Sequence, residues 1–220
     1  MAFLTGPYLD QRPFWPKFGR HILAQFDGES IIVYQAYRPS IGQYAVAHGY
    51  FGGGFSYERM SWIKTNFLWM MYRSGWGTKP GQEVTLAIRL TRSFFDSLLA
   101  QAVESSFTPN QYATHAEWKH ALAKSSVRMQ WDPDHLPTGS ALLRRALQLG
   151  LRGRLLKDYA RNQVLEIIDL STFVAEQRAN ISSEQHARLI TPIECVYLPD
   201  DPAIRLRLML DDTNQNNIAG

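Results

Sequence analysis

The run Ile31-Ile32-Val33-Tyr34-Gln35-Ala36-Tyr37 is β-branched, aromatic or apolar at every position but one. Successive side chains of a strand point to opposite faces, so this segment is apolar on both. It predicts a buried central strand with packed material above and below, which excludes a sheet with one wet face. Gln35 is the exception. A polar group there needs hydrogen-bond partners, so it is either structural glue or a ligand contact. Pro39 ends the run, and Ser40 is expected to cap a short helix to His48, stopped by a left-handed Gly49.

Other segments carry weaker punctuation. Thr65 or Asn66 is placed to cap a helix from Phe67 to Arg73 that is apolar all round and closed by Gly75. Val84, Leu86, Ile88 and Leu90 alternate with smaller or polar residues, as in a strand. Phe94, Phe95, Leu98, Leu99, Ala102 and Val103 share one helical face. Thr114 and Glu117 form a capping-box pair for a helix to about Lys124. Val127 to Trp131 predicts a short strand stopped by Asp132-Pro133. Residues 142–170 mix both periods and are left unassigned. Ser171 or Thr172 should cap a helix through about Arg178. Ile193 to Leu198 and Ile204 to Leu210 read as late strands. Pro7, Pro13 and Pro16 predict that residues 7–20 are neither helix nor central strand, but lie extended and pinned by Tyr8, Phe14, Trp15 and Phe18.

Strands and helices interleave irregularly, and no strand-to-helix turn carries a dinucleotide glycine fingerprint. The expectation is α+β: one domain with a mixed or antiparallel sheet core flanked by helices. It is read as an extended arm over 1–18, the domain over 19–210 and a polar tail over 211–220. Met1 to Arg20 lacks a basic start followed by an apolar stretch, and no apolar run approaches the roughly 20 residues that span a bilayer. With a single cysteine, Cys195, these features predict a cytoplasmic protein with no membrane partner. Cys195 itself is expected to be a buried, inert thiol. No P-loop, HExxH, GxSxG or paired CxxC motif occurs, and the six histidines are scattered, so no metal is expected.

The net charge of +3 averages unlike parts. Residues 1–92 hold 10 Lys/Arg against 5 Asp/Glu, whereas residues 93–220 hold 13 against 15. Within the basic half, Ser56 to Gly77 contains Tyr57, Trp62, Phe67, Trp69, Tyr72 and Trp76 beside Arg59, Lys64 and Arg73. Aromatics at helical spacing ordinarily pack as core, and Trp69 and Met70 are read so. The alternative is a pocket wall, in which rings stack on planar ligands while Arg59 and Lys64, flanking Trp62, neutralise phosphate. Tyr34, Gln35, Tyr37 and Arg38 form a second candidate wall, Arg38 being placed at a strand end where ligands gather. A further basic stretch, residues 144–161, holds Arg144, Arg145, Arg152, Arg154, Lys157 and Arg161 against only Asp158. By default it is a solvated helix face; the alternative is contact with the phosphates of RNA.

The stretches GRHILAQFDGESIIVYQAY (19–37), ERMSWIKTNFLWMMYRSGWG (58–77), VRMQWDPDHLP (127–137) and RALQLGL (145–151) resemble those of the domain of unknown function 4291 family, over about residues 19–200. That family implies no established activity. Thr65-Asn66 stands where the family-like block carries Pro-Ser, so the helix start relies on a side-chain cap. More remotely, the order of strand, Arg38, short helix, Gly49-Tyr50-Phe51, aromatic strand, buried helix and strand is similar to the N-terminal half of ADP-ribosyltransferase-like domains. This similarity implies an NAD cleft with a polar residue on the first strand, here Gln35, completed by a late acidic or polar residue. Glu194 and Asp132 are the candidates. Each also has an ordinary role, Asp132 as a turn residue before Pro133 and Glu194 as a solvated strand end. Tyr34, Tyr37 or Trp62 would hold a ring of the cofactor, and Arg38, Arg59 and Lys64 its pyrophosphate. The expected function is a nucleotide-using transferase, by NAD-dependent ADP-ribosyl or RNA 2′-phosphate transfer. A noncatalytic RNA-binding module is the alternative, and a third reading makes the tryptophans the core of an interaction protein.

Overall fold

The computed structural model describes residues 2–109 and 111–211. In chain order its strands are β1 (Thr5–Pro7), β2 (Phe18–Arg20), β3 (Ile22–Ala24), β4 (Ser30–Tyr37), β5 (Ser61–Lys64), β6 (Val84–Thr91), β7 (Val103–Glu104), β8 (Val127–His135), β9 (Ala141–Leu151), β10 (Val164–Asp169), β11 (Ile190–Pro192) and β12 (Cys195–Tyr197). The helices are α1 (Tyr8–Gln11), α2 (Pro39–His48), α3 (Phe67–Ser74), α4 (Arg92–Gln101), α5 (His115–Lys124), α6 (Gly153–Asp158), α7 (Ser171–Gln177) and α8 (Pro202–Leu208). The fold is α+β, built on one mixed sheet of eight strands in the order β10-β6-β4-β5-β9-β8-β7, with β2 pairing parallel to β9.

The two-sided strand β4 sits in the interior of that sheet, antiparallel to β6 from Ser30↔Thr91 to Tyr37↔Val84. On one face Val33, Ile63, Leu86, Ile88 and Leu149 pack under Phe95, Leu98 and Leu99 of α4 and Ile204 and Leu208 of α8. On the other, Ile32, Tyr34 and Ala87 meet Phe67, Leu68, Met70 and Met71 of α3, with Val174 of α7. Each large apolar side chain buried this way contributes about 1.5–3 kcal/mol. Alternating residues of one strand thus serve two cores. The start of α3 is held as its sequence requires: Asn66 accepts from the Trp69 amide at 2.7 Å, and Gly75 closes the helix with φ 60°.

Several expectations are corrected. Residues 8–14 form α1 and a following 3-10 turn, because Pro7 and Pro13 stand where helical turns tolerate proline. Tyr8 and Trp15 pin that segment, while Phe14 and Phe18 are exposed. Asp132-Pro133 does not stop β8. Pro133 faces Arg145 of β9 beside a bulge, and β7 covers the opposite edge only at Arg128 and Met129, so no ladder donor is missed there. Residues 204–210 are not a strand: Asp201 caps α8, Pro202 opens it, and Ile204 and Leu208 are buried one turn apart while Leu206 is 82% exposed. The late strand from 193 is broken, since the Glu194 amide donates to Gln11 Oε1 and its carbonyl accepts from Trp15 Nε1. Helix α2 starts at Pro39 with Arg38 as its cap, not at Ser40. Helix α7 has no side-chain cap from Ser171 or Thr172; Asp169 takes the Ser171 amide instead. The ambiguous 142–170 stretch resolves into β9, α6, a π-turn and β10. Cys195 is exposed, not buried. Of the polar 211–220 segment, only Asp211 lies within the described residues.

Candidate functional site

Strands β4 and β5 are paired at a single position, Tyr34↔Lys64. Beyond it β4 continues along β6, while β5 runs along β9 from Ser61↔Leu151 to Lys64↔Gln148. Where the two strands part, the sheet opens. Gln35 clasps the gap: its Nε2 donates to Ser61 Oγ at 2.9 Å and to the Trp62 carbonyl at 3.1 Å, and its Oε1 accepts from Tyr159 Oη at 2.8 Å. Tyr37 Oη lies 2.7 Å from the same Ser61 hydroxyl. With its amide satisfied on both ends, Gln35 holds the strands at the edge of the opening. Of its two sequence readings, the glue is made, and the side chain also lines the cleft.

The opening is a cleft of about 600 Å³ whose charged lining is Arg38, Arg59, Lys64 and Arg73, with no carboxylate among the lining residues. Tyr37, Phe55 and Trp62 supply aromatic surface, and Gln82, Gln130 and Gln148 supply amides. None of the four cations is ion-paired among the described residues. Arg38 crosses the glycine loop closely enough that a Cβ on Gly54 would sit 3.1 Å from its Nη2. Arg38, Arg59 and Arg73 are exposed, whereas Lys64 is 6% exposed with its Nζ 5.1 Å from the centre of the Trp69 ring. Burial, reinforced by the Arg73 cation and opposed by Asp132, pulls the Lys64 amine down to about 7.

The cross-strand row Lys64, Gln148, Gln130 continues the cleft floor. Gln148 Nε2 donates to Gln130 Oε1 at 2.9 Å and to Asp132 Oδ2 at 2.6 Å. Asp132 therefore stands behind the wall, half-buried, and burial raises its carboxyl against the pull of Gln148 and Lys64. It belongs to β8, not to a turn.

The remaining sequence candidates lie elsewhere. Tyr34 is fully buried against Phe67, with ring centroids 5.6 Å apart, and does not line the cleft. Glu194 is no solvated strand end. It is buried under α3, where Oε1 accepts from the Phe67 amide at 2.8 Å, and it does not line the cleft either. Burial, with Asp134 adding to it, raises this carboxyl well above its ordinary value, opposed by the Phe67 amide, Tyr34 and Arg144. An acid raised by folding is ionised in the unfolded chain first, so it destabilises the native state as pH rises above about 4.5. Glu194→Gln keeps an acceptor for Phe67. It is expected to remove a slope of up to about 1.4 kcal/mol per pH unit, seen in denaturant melts at successive pH values above about 4.5; an unchanged slope defeats the assignment.

The basic stretch is not one helix face. Arg144 is buried on β9 with its Nε 2.8 Å from Asp134 Oδ2, and Arg152 donates through its Nε to the Ser125 carbonyl at 2.8 Å. Arg145 and Arg154 are exposed on different elements, β9 and α6. The tryptophans divide as well: Trp69 and Trp76 are core, while Trp62 is half-buried in the cleft wall. Sequence reasoning left out Gln130 and Gln148. Each is the one amide of its strand and sits between two apolar residues, and that interruption was the available signal. No group of three or more His, Cys, Asp or Glu fit to hold a metal occurs among the described residues, nor any helix long and apolar enough to cross a membrane.

No curated protein matches this chain. The chain belongs to the family described as a domain of unknown function (DUF4291), whose model matches residues 21–197.

Proposed function

We propose that the cleft binds a phosphate-bearing ligand of nucleotide size and that the protein is a nucleotide-using transferase acting there. The observation that carries this reading is the convergence of Arg38, Arg59, Lys64 and Arg73 on one cleft lined by no carboxylate. A concave, one-signed wall concentrates anions, and guanidinium forks match phosphate oxygens. The volume falls within the range of roughly 300–1,000 Å³ usual for small-molecule sites. NAD is the first ligand to test, since the donor set suits it: Arg38 and Arg59 for the pyrophosphate, and the Tyr37 or Trp62 ring for a base. When bound, NAD would supply a ribosyl bond whose cleavage permits ADP-ribosyl or RNA 2′-phosphate transfer. Asp132, behind Gln148, is the carboxylate nearest this wall among the two sequence candidates; Glu194 serves the start of α3. The lone, unpaired Cys195 fits the reducing cytoplasm taken as its compartment.

Calorimetry with NAD, ADP-ribose and inorganic pyrophosphate tests the reading. Saturable binding that weakens with salt is expected. Arg38→Ala and Arg59→Ala should each lower affinity about tenfold to a hundredfold, as befits a charged hydrogen bond worth roughly 1.5–3 kcal/mol. Both side chains are exposed, so stability should move by less than about 0.5 kcal/mol. Absence of binding by all three ligands at millimolar concentration sinks the proposal.

RNA is the second reading, favoured by one observation. A separate groove is lined by Arg154, Lys157 and Arg161, and Arg161 lies 4.6 Å over the Tyr50 ring. Single-stranded RNA whose affinity falls steeply with salt and with Arg161→Ala would support it.

A further inference from the structure

We propose that Lys64 is a covalent nucleophile that condenses with the carbonyl carbon of a phosphate-bearing aldehyde or ketone held in the cleft. The inference rests on the phosphate-binding reading above and names the substrate class and the reacting atom.

Lys17, Lys79, Lys119, Lys124 and Lys157 are all exposed, and Lys64 alone of the six lysines is buried. It stands on β5, paired with Tyr34 of β4 on one side and with Gln148 of β9 on the other, so its backbone is fixed by the sheet. A structural lysine at such depth is normally paired with a carboxylate. Here Nζ has no hydrogen bond or ion pair among the described residues. The groups facing it are the Trp69 ring, the Arg73 cation from α3 and Asp132 from β8, whose Oδ2 is already taken by Gln148. Desolvation and a neighbouring cation are the two conditions that leave an amine neutral, with its lone pair available for addition to a carbonyl. Arg38, Arg59 and Arg73 line the same cleft and supply the anion contacts that would present a phosphorylated carbonyl compound to that amine.

In the reaction, the Nζ lone pair adds to the carbonyl carbon and the π pair moves to oxygen, which takes one proton from nitrogen. The resulting carbinolamine expels its hydroxyl with the remaining nitrogen proton as water. This leaves a C=N bond to Lys64, and no oxidant or reductant is consumed.

The test uses the full chain with pyridoxal 5′-phosphate, or with 5-deoxypyridoxal, which has the same free aldehyde and neither the phosphate nor the 5′-hydroxyl that would close on it. Borohydride then reduces any imine to a stable amine, and peptide mass mapping locates it. The expected result is an adduct at Lys64 at probe concentrations that leave the five exposed lysines unmodified. Labelling by 5-deoxypyridoxal should be at least about tenfold weaker, the loss of roughly one charged contact. Inorganic pyrophosphate should compete, and Lys64→Met should abolish the adduct. If pyrophosphate binds but only exposed lysines are labelled, the nucleophile is overturned and the phosphate-binding reading stands. A Lys64 adduct indifferent to the phosphate overturns the assigned substrate class. Failure of pyrophosphate, NAD and ADP-ribose alike to bind overturns the cleft reading itself, and this inference with it.

Discussion

Lys64→Met is expected to stabilise the protein by several kcal/mol at neutral pH, although it removes a side chain from the candidate site. The cause is the cost of keeping an amine in a dry position. Folding lowers its proton affinity from 10.5 to about 7. Between those values the unfolded chain holds a proton that the native chain does not. Stability therefore falls as pH drops from about 10.5 to about 7, and the penalty is constant below that. At about 1.4 kcal/mol per unit, the full difference is about 5 kcal/mol. Methionine matches the stem in length and packs against Trp69 without a charge to desolvate. Denaturant melts of both proteins at pH about 7 and about 9.5 should show the gap narrowing at the higher pH, since the wild type alone gains. A gap of equal size at both would mean that Lys64 is protonated throughout, and would remove the argument for a neutral amine. Groups the two proteins share, Glu194 included, cancel in this comparison.

Asp134→Ala should be the most damaging single change outside the hydrophobic cores, costing about 3–5 kcal/mol. The Asp134 carboxylate is fully buried and accepts from four groups. Oδ2 takes Arg144 Nε at 2.8 Å, Arg144 Nη2, and Asn66 Nδ2 at 3.3 Å, and Oδ1 takes the His135 amide at 2.7 Å. Its removal leaves the Arg144 guanidinium 5.6 Å over the Trp15 ring, with the Pro16 carbonyl as its remaining hydrogen-bond acceptor. An uncompensated buried cation is what makes breaking such a pair expensive. For a chain of this size the loss corresponds to a melting temperature lower by about 10 °C. The double variant Asp134→Leu/Arg144→Met removes both charges and should recover most of it. A single variant that loses less than about 1 kcal/mol would show that the pair does not hold the β8–β9 corner.

These two sites show where sequence reading succeeds and where it stops. Lys64 and its cleft neighbours were legible because they are a local anomaly, cations interleaved with aromatics on and beside a short strand. Arg144 was not. Its sequence neighbours suggest a basic surface, and the partner that buries it depends on the register of β8 against β9. Glu194 failed for the same reason at longer range, since its carboxylate meets the Phe67 amide 127 residues away in sequence. Helix α8 failed locally. Ile204, Leu206, Leu208 and Leu210 fit a period of two, and the cap at Asp201 with Pro202 behind it was the better signal.

By itself, then, the sequence determined that β4 would be buried on both faces, that α3 would start at a side-chain cap at Thr65 or Asn66 and be closed by Gly75, and which residues were worth testing as a phosphate site. Each of these follows from side-chain period or backbone preference within a few residues. Only the tertiary structure decided that β4 and β5 part after one paired position, opening a cleft whose lining cations have no carboxylate among them. It also decided which arginines would face that cleft and which would be spent in a buried ion pair. Those outcomes depend on strand order and register, which are set by the packing of distant segments and leave no local pattern to read.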